Sequence, residues 1–265
     1  MIACKKQGTI LNRVRWRVTR IRFSSLLAIG LFVGGTPSGG LMARDVINDI
    51  RWELNQRIYL AEIGGTWHYT IEEAAGIGEG IGIAWDVSLF DVDEFRVGLE
   101  VELEHGLVDP GTNVTDDDPG FTGKIALAHL NKLPDYYLRL LEMELSGAMI
   151  SAVPGSALFL EGKIRDAAWE YIQASYLEEI GGTWHYTIEE AADIGEGIGI
   201  AWSVSPFDVD EFRVGLEVEL EHGLVDPDTN VTDDDPAFTG KIALAHLNEL
   251  PDYYFRLLRM GLRAE

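Results

Sequence analysis

Residues 63–144 recur at 180–261 in constant register, offset by 117, with nine differences over the 82 aligned positions. A repeat of this length constrains the architecture before any local pattern is read: the chain is two copies of one unit, and both copies must fold alike. The differences include Gly76/Asp193, Asp86/Ser203 and Leu89/Pro206. Copies this similar do not reveal which residues are constrained, so function has to be sought in the chemistry of the unit itself.

Several classes of partner are excluded by charge. The formal net charge is −23, and residues 1–41 hold seven of the 21 basic residues and no acidic one. The remainder therefore sets 14 basic against 44 acidic residues. Such a body repels nucleic acid and anionic membranes, which are bound by Lys and Arg clusters. It suits cations, a basic protein partner or self-association. Cys4 is the single cysteine, so there is neither a disulfide framework nor a thiolate metal site. The six histidines fall in the repeats as three pairs, His68/His185, His105/His222 and His129/His246.

The leader, 1–41, is compositionally unlike the rest. Its basic residues precede SSLLAIGLFVGG, which is short of the roughly 20 apolar residues of a stable membrane span. Three readings are open: a secretory signal with small residues at Ser38 and Gly40, a basic surface anchor, or a start upstream of the true one at Met42. The chain is expected in the cytoplasm unless 1–41 is a secretory signal.

Along one unit the patterns are helical. Arg44–Leu60 spaces Val46, Ile50, Leu54 and Ile58 four apart, a helix stripe with its counterpart in Ile164–Leu177. Thr70-Ile71-Glu72-Glu73 predicts a capping box opening a helix with Ile71, Ala74, Ala75, Gly78 and Ile81 on one side. Asp91–Glu94 predicts a second box, and a helix to His105 with Val92, Phe95, Leu99 and Leu103 as its core stripe. Asp118-Pro119 reads as N-cap and N1 of a helix to about Leu133 whose two covered faces mark it as central. Pro134-Asp135 starts the last helix, with Tyr137, Leu140 and Leu141 along one side. IGEGIGI lacks the spacing and the preceding strand of a phosphate loop. Strand signals are absent. The expected fold class is all-α, two tandem small bundles of about five helices each. Their expected limits are a leader at 1–41, repeat one at 42–144, a linker at 145–163 and repeat two at 164–265.

The block FRVGLEVELEHGLVDPGTNVTDDDPGFTGKIALAHLNKLPDYY, with YTIEEAAGIGEGIGIAW before it, resembles a bacterial, archaeal and phage domain of unknown function, number 5661 of that series. The resemblance covers about 70–144 and 187–261. It implies tandem copies of that domain and carries no activity with it.

Chemistry is concentrated on one helix. Glu102 lies within the apolar stripe while Glu100 and Glu104 fall outside it, and a carboxylate on an apolar face is costly unless paired or bound to a cation. Glu102 and His105 form Glu-x-x-His, repeated as Glu219 and His222. That pair supplies ligands in carboxylate-bridged di-iron and di-manganese bundles. His129, with His246 in the copy, adds an imidazole suited to iron, manganese or zinc. One Glu-x-x-His per unit means that a dinuclear site needs the two copies face to face, or extra ligands such as Asp135. Without a metal, His105 would sit against the helix C-terminal dipole, and Glu102 would pair with His129 or a buried Tyr hydroxyl. Asp109, Asn113, Asp116, Asp117 and Asp118 offer oxygen ligands for calcium, but without the EF-hand spacing. Trp67-His68-Tyr69 reads as a packing staple. Ser/His/Asp and Cys/His nucleophile systems are unsupported, so no catalytic residue is assigned. Two readings stand: a non-enzymatic binding or accessory module, and a metal-binding helical protein built on Glu102, His105, His129, Glu219, His222 and His246.

Overall fold

The computed structural model describes residues 38–150 and 156–261, with side chains over 50–143 and 168–261. The leader at 1–41 thus lies outside the described residues except for its last four, and the helix expected over Arg44–Leu60 already runs from Ser38. The first repeat comprises α1 (Ser38–Glu62), α2 (Ile71–Gly80), α3 (Val92–Val108), α4 (Pro119–Lys132) and α5 (Tyr136–Ile150). The second comprises α6 (Ser156–Glu179), α7 (Ile188–Gly197), α8 (Val209–Val225), α9 (Pro236–Glu249) and α10 (Tyr253–Gly261), with a 3₁₀ turn at Pro227–Thr229. Strands are absent among the described residues. The fold is all-α, five helices to each repeat, and residues 46–265 form one compact unit containing both repeats. Helix covers much of the expected linker, since α5 reaches Ile150 and α6 begins at Ser156.

Local chemistry sets the helix starts. Thr70 accepts from the Glu73 amide while Glu73 accepts from the Thr70 amide, a complete capping box repeated at Thr187 and Glu190. Asp91 caps α3 through the Glu94 amide, but the box expected there is only half built. The Glu94 carboxylate turns away and accepts from the Leu138 amide at 3.1 Å, tying α3 to the first turn of α5. Asp118 caps α4 with Pro119 at N1, as its sequence requires. Asp116 and Asp117 adopt left-handed φ of 51° and 60° in the loop before it, a conformation that short polar side chains tolerate.

Two expectations about the core are corrected. The central helix is α3, not α4: every residue from Glu94 to Leu103 is buried. Glu100, placed by its angle on an outer face, is 2% exposed because α1, α2, α4 and α5 surround α3. On α1, Ile50 and Leu54 are 60% and 50% exposed, so the apolar stripe is not the packing face. The inward face carries Trp52, Asn55, Gln56 and Tyr59. Trp52 Nε1 and the Gln56 amide donate to Asp93, and Tyr59 donates to Glu104 at 3.1 Å. Polar anchoring across helices overrode the apolar periodicity there. Gly98 is needed for its size, since a Cβ at that position would run into the Tyr137 ring.

The repeats meet through α3 against α9 and α4 against α8. Their contacts come in reciprocal pairs. Asn131 donates to Asp226 at 3.2 Å, and its counterpart Asn248 approaches Asp109 at 3.5 Å. The His105 and His246 rings lie 4.8 Å apart, as do those of His129 and His222. Tyr136 and Tyr253 touch each other through their hydroxyls. Equivalent residues meeting across one line is the signature of a pseudo-two-fold, isologous contact within a single chain.

Candidate metal centre

The pseudo-two-fold axis runs through a buried cluster holding all six residues singled out above. Two helical positions explain the convergence. Glu102 and His105 sit one turn apart on α3, which presents both to α4 and α9. His129 lies in the last turn of α4, and α8 and α9 repeat the arrangement with Glu219, His222 and His246.

Glu102 Oε1 is 3.1 Å from His129 Nδ1 and its Oε2 is 3.2 Å from His105 Nδ1. On the other side Glu219 lies 3.3 Å from His222 Nδ1, 3.8 Å from His129 Nε2 and 3.9 Å from His246 Nδ1. The phenols of Tyr137 and Tyr254 donate to Glu102 and Glu219 at 2.9 and 2.8 Å. His129 stacks on Tyr136 with ring centroids 4.4 Å apart. Nε2 of His105, of His129 and of His246 is buried without a hydrogen-bond partner. Buried polar nitrogens are normally satisfied, and such an orphan calls for a ligand, an ion or a proton acceptor.

Among the described residues, two sets of three side chains bring ligand atoms within 4.8 Å of one another: Glu102, His129 and His246, and His129, Glu219 and His222. Each set draws on both repeats, so neither repeat alone assembles the cluster. A small, partly open cleft is lined by Asn113 and Thr115 of the α3–α4 loop together with Glu102 and His105.

The electrostatics are uneven. Burial alone would raise Glu102, but bonds to His105 and His129 hold it well below the usual carboxylate range. Glu219 is held low likewise, by His129 and His222. Burial opposes the charge on His129, yet Glu102 and Glu219 carry it up to about 9. His105 is raised well above its ordinary value against burial by Glu249 and Glu102. His246 falls to about 4 through burial and the charge on His105. His222 is lowered by burial, with the charges of His129 and Lys132 adding to it against Glu219. Near neutral pH, then, the two carboxylates face two imidazolium and two neutral imidazole rings.

Other expected ligands lie elsewhere. Asp135 pairs with Arg139 at 2.8 Å, away from the cluster. In the loop, Asp109 and Asp118 accept from backbone amides and Asp117 from Asn113. No set of three ligands among the described residues includes them, so turn and cap formation accounts for these acids. Trp67 packs against Tyr59 and the Arg96 guanidinium, and His68 bonds Glu100, as a staple would. Glu249 at the cluster rim went unread in the sequence. Its signal was there, as one of the nine positions where the copies differ.

A family model described as a protein of unknown function, DUF5661, matches residues 74–146 and again 191–262. The matches span more than half the chain, which therefore belongs to that family as two tandem copies. No curated protein and no solved structure matches the chain. No helix among the described residues is long and apolar enough to cross a membrane.

Proposed function

We propose that this DUF5661 chain binds one or two divalent transition-metal ions, of iron, manganese or zinc, between its repeats. The ligands are Glu102, His105, His129, Glu219, His222 and His246. The observation that carries this reading is the three buried Nε2 atoms of His105, His129 and His246, left without hydrogen-bond partners inside a cluster of carboxylates. Pairing of Glu102 with His129 and Tyr137 would satisfy the carboxylate without a metal, but it leaves those nitrogens unused. Mixed imidazole and carboxylate donors without thiolate suit this group of metals. Tyr137 and Tyr254 would orient the ligating carboxylates from behind. The same geometry explains the duplication: each repeat provides half of the ligands, and one copy alone cannot complete either set. The alternative, a non-enzymatic binding module, draws on exposed apolar residues such as Val87 and Val108, which form no comparable built site.

Elemental mass spectrometry on the full chain, purified without tag or chelator, tests the reading. One or two equivalents of metal are expected. Glu102→Gln/Glu219→Gln should lose them while keeping its helical circular dichroism. A folded wild type that takes up none of the three metals on reconstitution would reject it.

A further inference from the structure

The reciprocal pairing of the repeats is not exact, and one of its breaks sets opposite charges at equivalent positions. Lys132 of α4 corresponds to Glu249 of α9, one of two charge-reversing pairs among the nine differences, and both side chains contact the opposite repeat. Lys132 Nζ bonds Glu221 at 2.8 Å and lies over the Tyr176 ring. Symmetry would set Glu249 against Glu104, the counterpart of Glu221, where two carboxylates repel. Glu249 instead approaches Nε2 of His105 at 3.2 Å. His105 thus has a carboxylate oxygen 3.2 Å from each ring nitrogen, Glu102 at Nδ1 and Glu249 at Nε2, without a formed hydrogen bond at Nε2. His222, its counterpart, has Glu219 at Nδ1, and Lys132, the counterpart of Glu249, bonds Glu221 on the same helix.

A carboxylate bonded to the far nitrogen of a ligating histidine orients the ring and makes it a better donor. One end of the cluster has a carboxylate facing that nitrogen, and the other has a cation in its place. We propose that Glu249 is a positioning residue that, through His105 and the Glu102 carboxylate beside it, makes the Glu102 end of the cluster the tighter of two inequivalent metal positions. The Glu219–His222–His129 end is the weaker, because Lys132 stands where Glu249 would be. The proposal rests on the metal-binding reading above. It adds that the two copies, alike in their ligands, have been differentiated through a single position outside the ligand set.

Titration of the full chain with Co²⁺, followed by its visible ligand-field absorption and by calorimetry, tests this. Lys132 and Glu249 lie at the rim with side chains 38% and 30% exposed, so their substitution does not threaten the core. Wild type should take two ions in steps about tenfold or more apart in Kd, the size of effect that an outer carboxylate exerts. Glu249→Gln should weaken the first step about tenfold and leave the second. Lys132→Glu should strengthen the second step towards the first, a gain that a merely structural residue would not produce. If only one ion binds, it should be lost in His105→Ala and kept in His222→Ala; the reverse would overturn the proposal. Two ions of indistinguishable affinity, or equal weakening of both steps by Glu249→Gln, would also overturn it while leaving metal binding intact. A folded chain that binds no Co²⁺ and none of the other metals would remove both.

Discussion

Glu100 and Glu102 are two residues apart on α3, both buried, and each touches a histidine. Glu100 accepts from the Tyr69 amide and contacts His68 Nδ1, both at 2.8 Å. His68 keeps half of its side chain in solvent, and both partners belong to the same repeat. Glu102 meets His105, His129 and Tyr137 at the line where the repeats join, and the imidazoles around it are buried in turn. The cost of burying Glu100 is offset by an amide and a histidine that reaches water, so the network is closed. At Glu102 it is offset by rings that must themselves be protonated or coordinated, and three of their nitrogens remain unused. A buried Glu–His contact is therefore no sign of a site by itself. What separates the two is whether the remaining donors and acceptors around the pair are already satisfied.

The comparison is broken most sharply by exchanging charge for amide at each place. Glu102→Gln/Glu219→Gln should abolish metal uptake, whereas Glu100→Gln/Glu217→Gln should leave metal content unchanged. The latter should instead lower stability by about 2 kcal/mol per site in denaturant titration, the scale of a lost charge-assisted hydrogen bond. Metal loss in both double variants would mean that the two networks are one.

Proton release comes next in size. Metal binding must displace protons from His105 and His129, both raised by neighbouring carboxylates. Apparent affinity should climb as pH rises through about 9, where His129 gives up its proton, with about two protons released on binding near neutrality. Calorimetry in buffers of different ionisation enthalpy counts them. Release of none would contradict the charge balance described above.

The smallest effect concerns Glu94, whose carboxyl burial pushes up to about 8 from 4.5. A raised folded pKa means that its contribution to stability is full below about 4.5 and is lost as pH rises to about 8. Glu94→Gln can still accept from the Leu138 amide. It should therefore gain on wild type across that window and hold a constant advantage above it, read from melting temperatures between pH 4 and 9. No pH dependence in the difference would show that Glu94 is ionised throughout.

Legibility in the sequence followed the physics of each element. Caps at Thr70, Asp91 and Asp118 could be read because they depend on side chains three residues or fewer from the groups they satisfy. The six ligand candidates were legible from helical angle, because Glu102 on an apolar stripe signalled a burial cost to be met. The α1 stripe misled: apolar spacing at Ile50 and Leu54 predicts an inward face, but Asp93, two helices away, captured Trp52 and Gln56. Glu100 misled in the same way, since angle alone does not tell that a helix is covered on every side. Glu249 escaped notice because its meaning depends on His105, 144 positions away in the chain.

From its sequence this protein can be read as an all-α tandem repeat with Glu-x-x-His and a further histidine in each copy, because periodicity, caps and repetition are local properties. Only the tertiary structure decided that the copies face one another, that their Glu and His side chains merge on a pseudo-two-fold axis, and that Lys132 and Glu249 bring opposite charges to equivalent places beside it. Those outcomes depend on which surfaces pack together, and the free energy of that packing is spread over residues far apart in the chain.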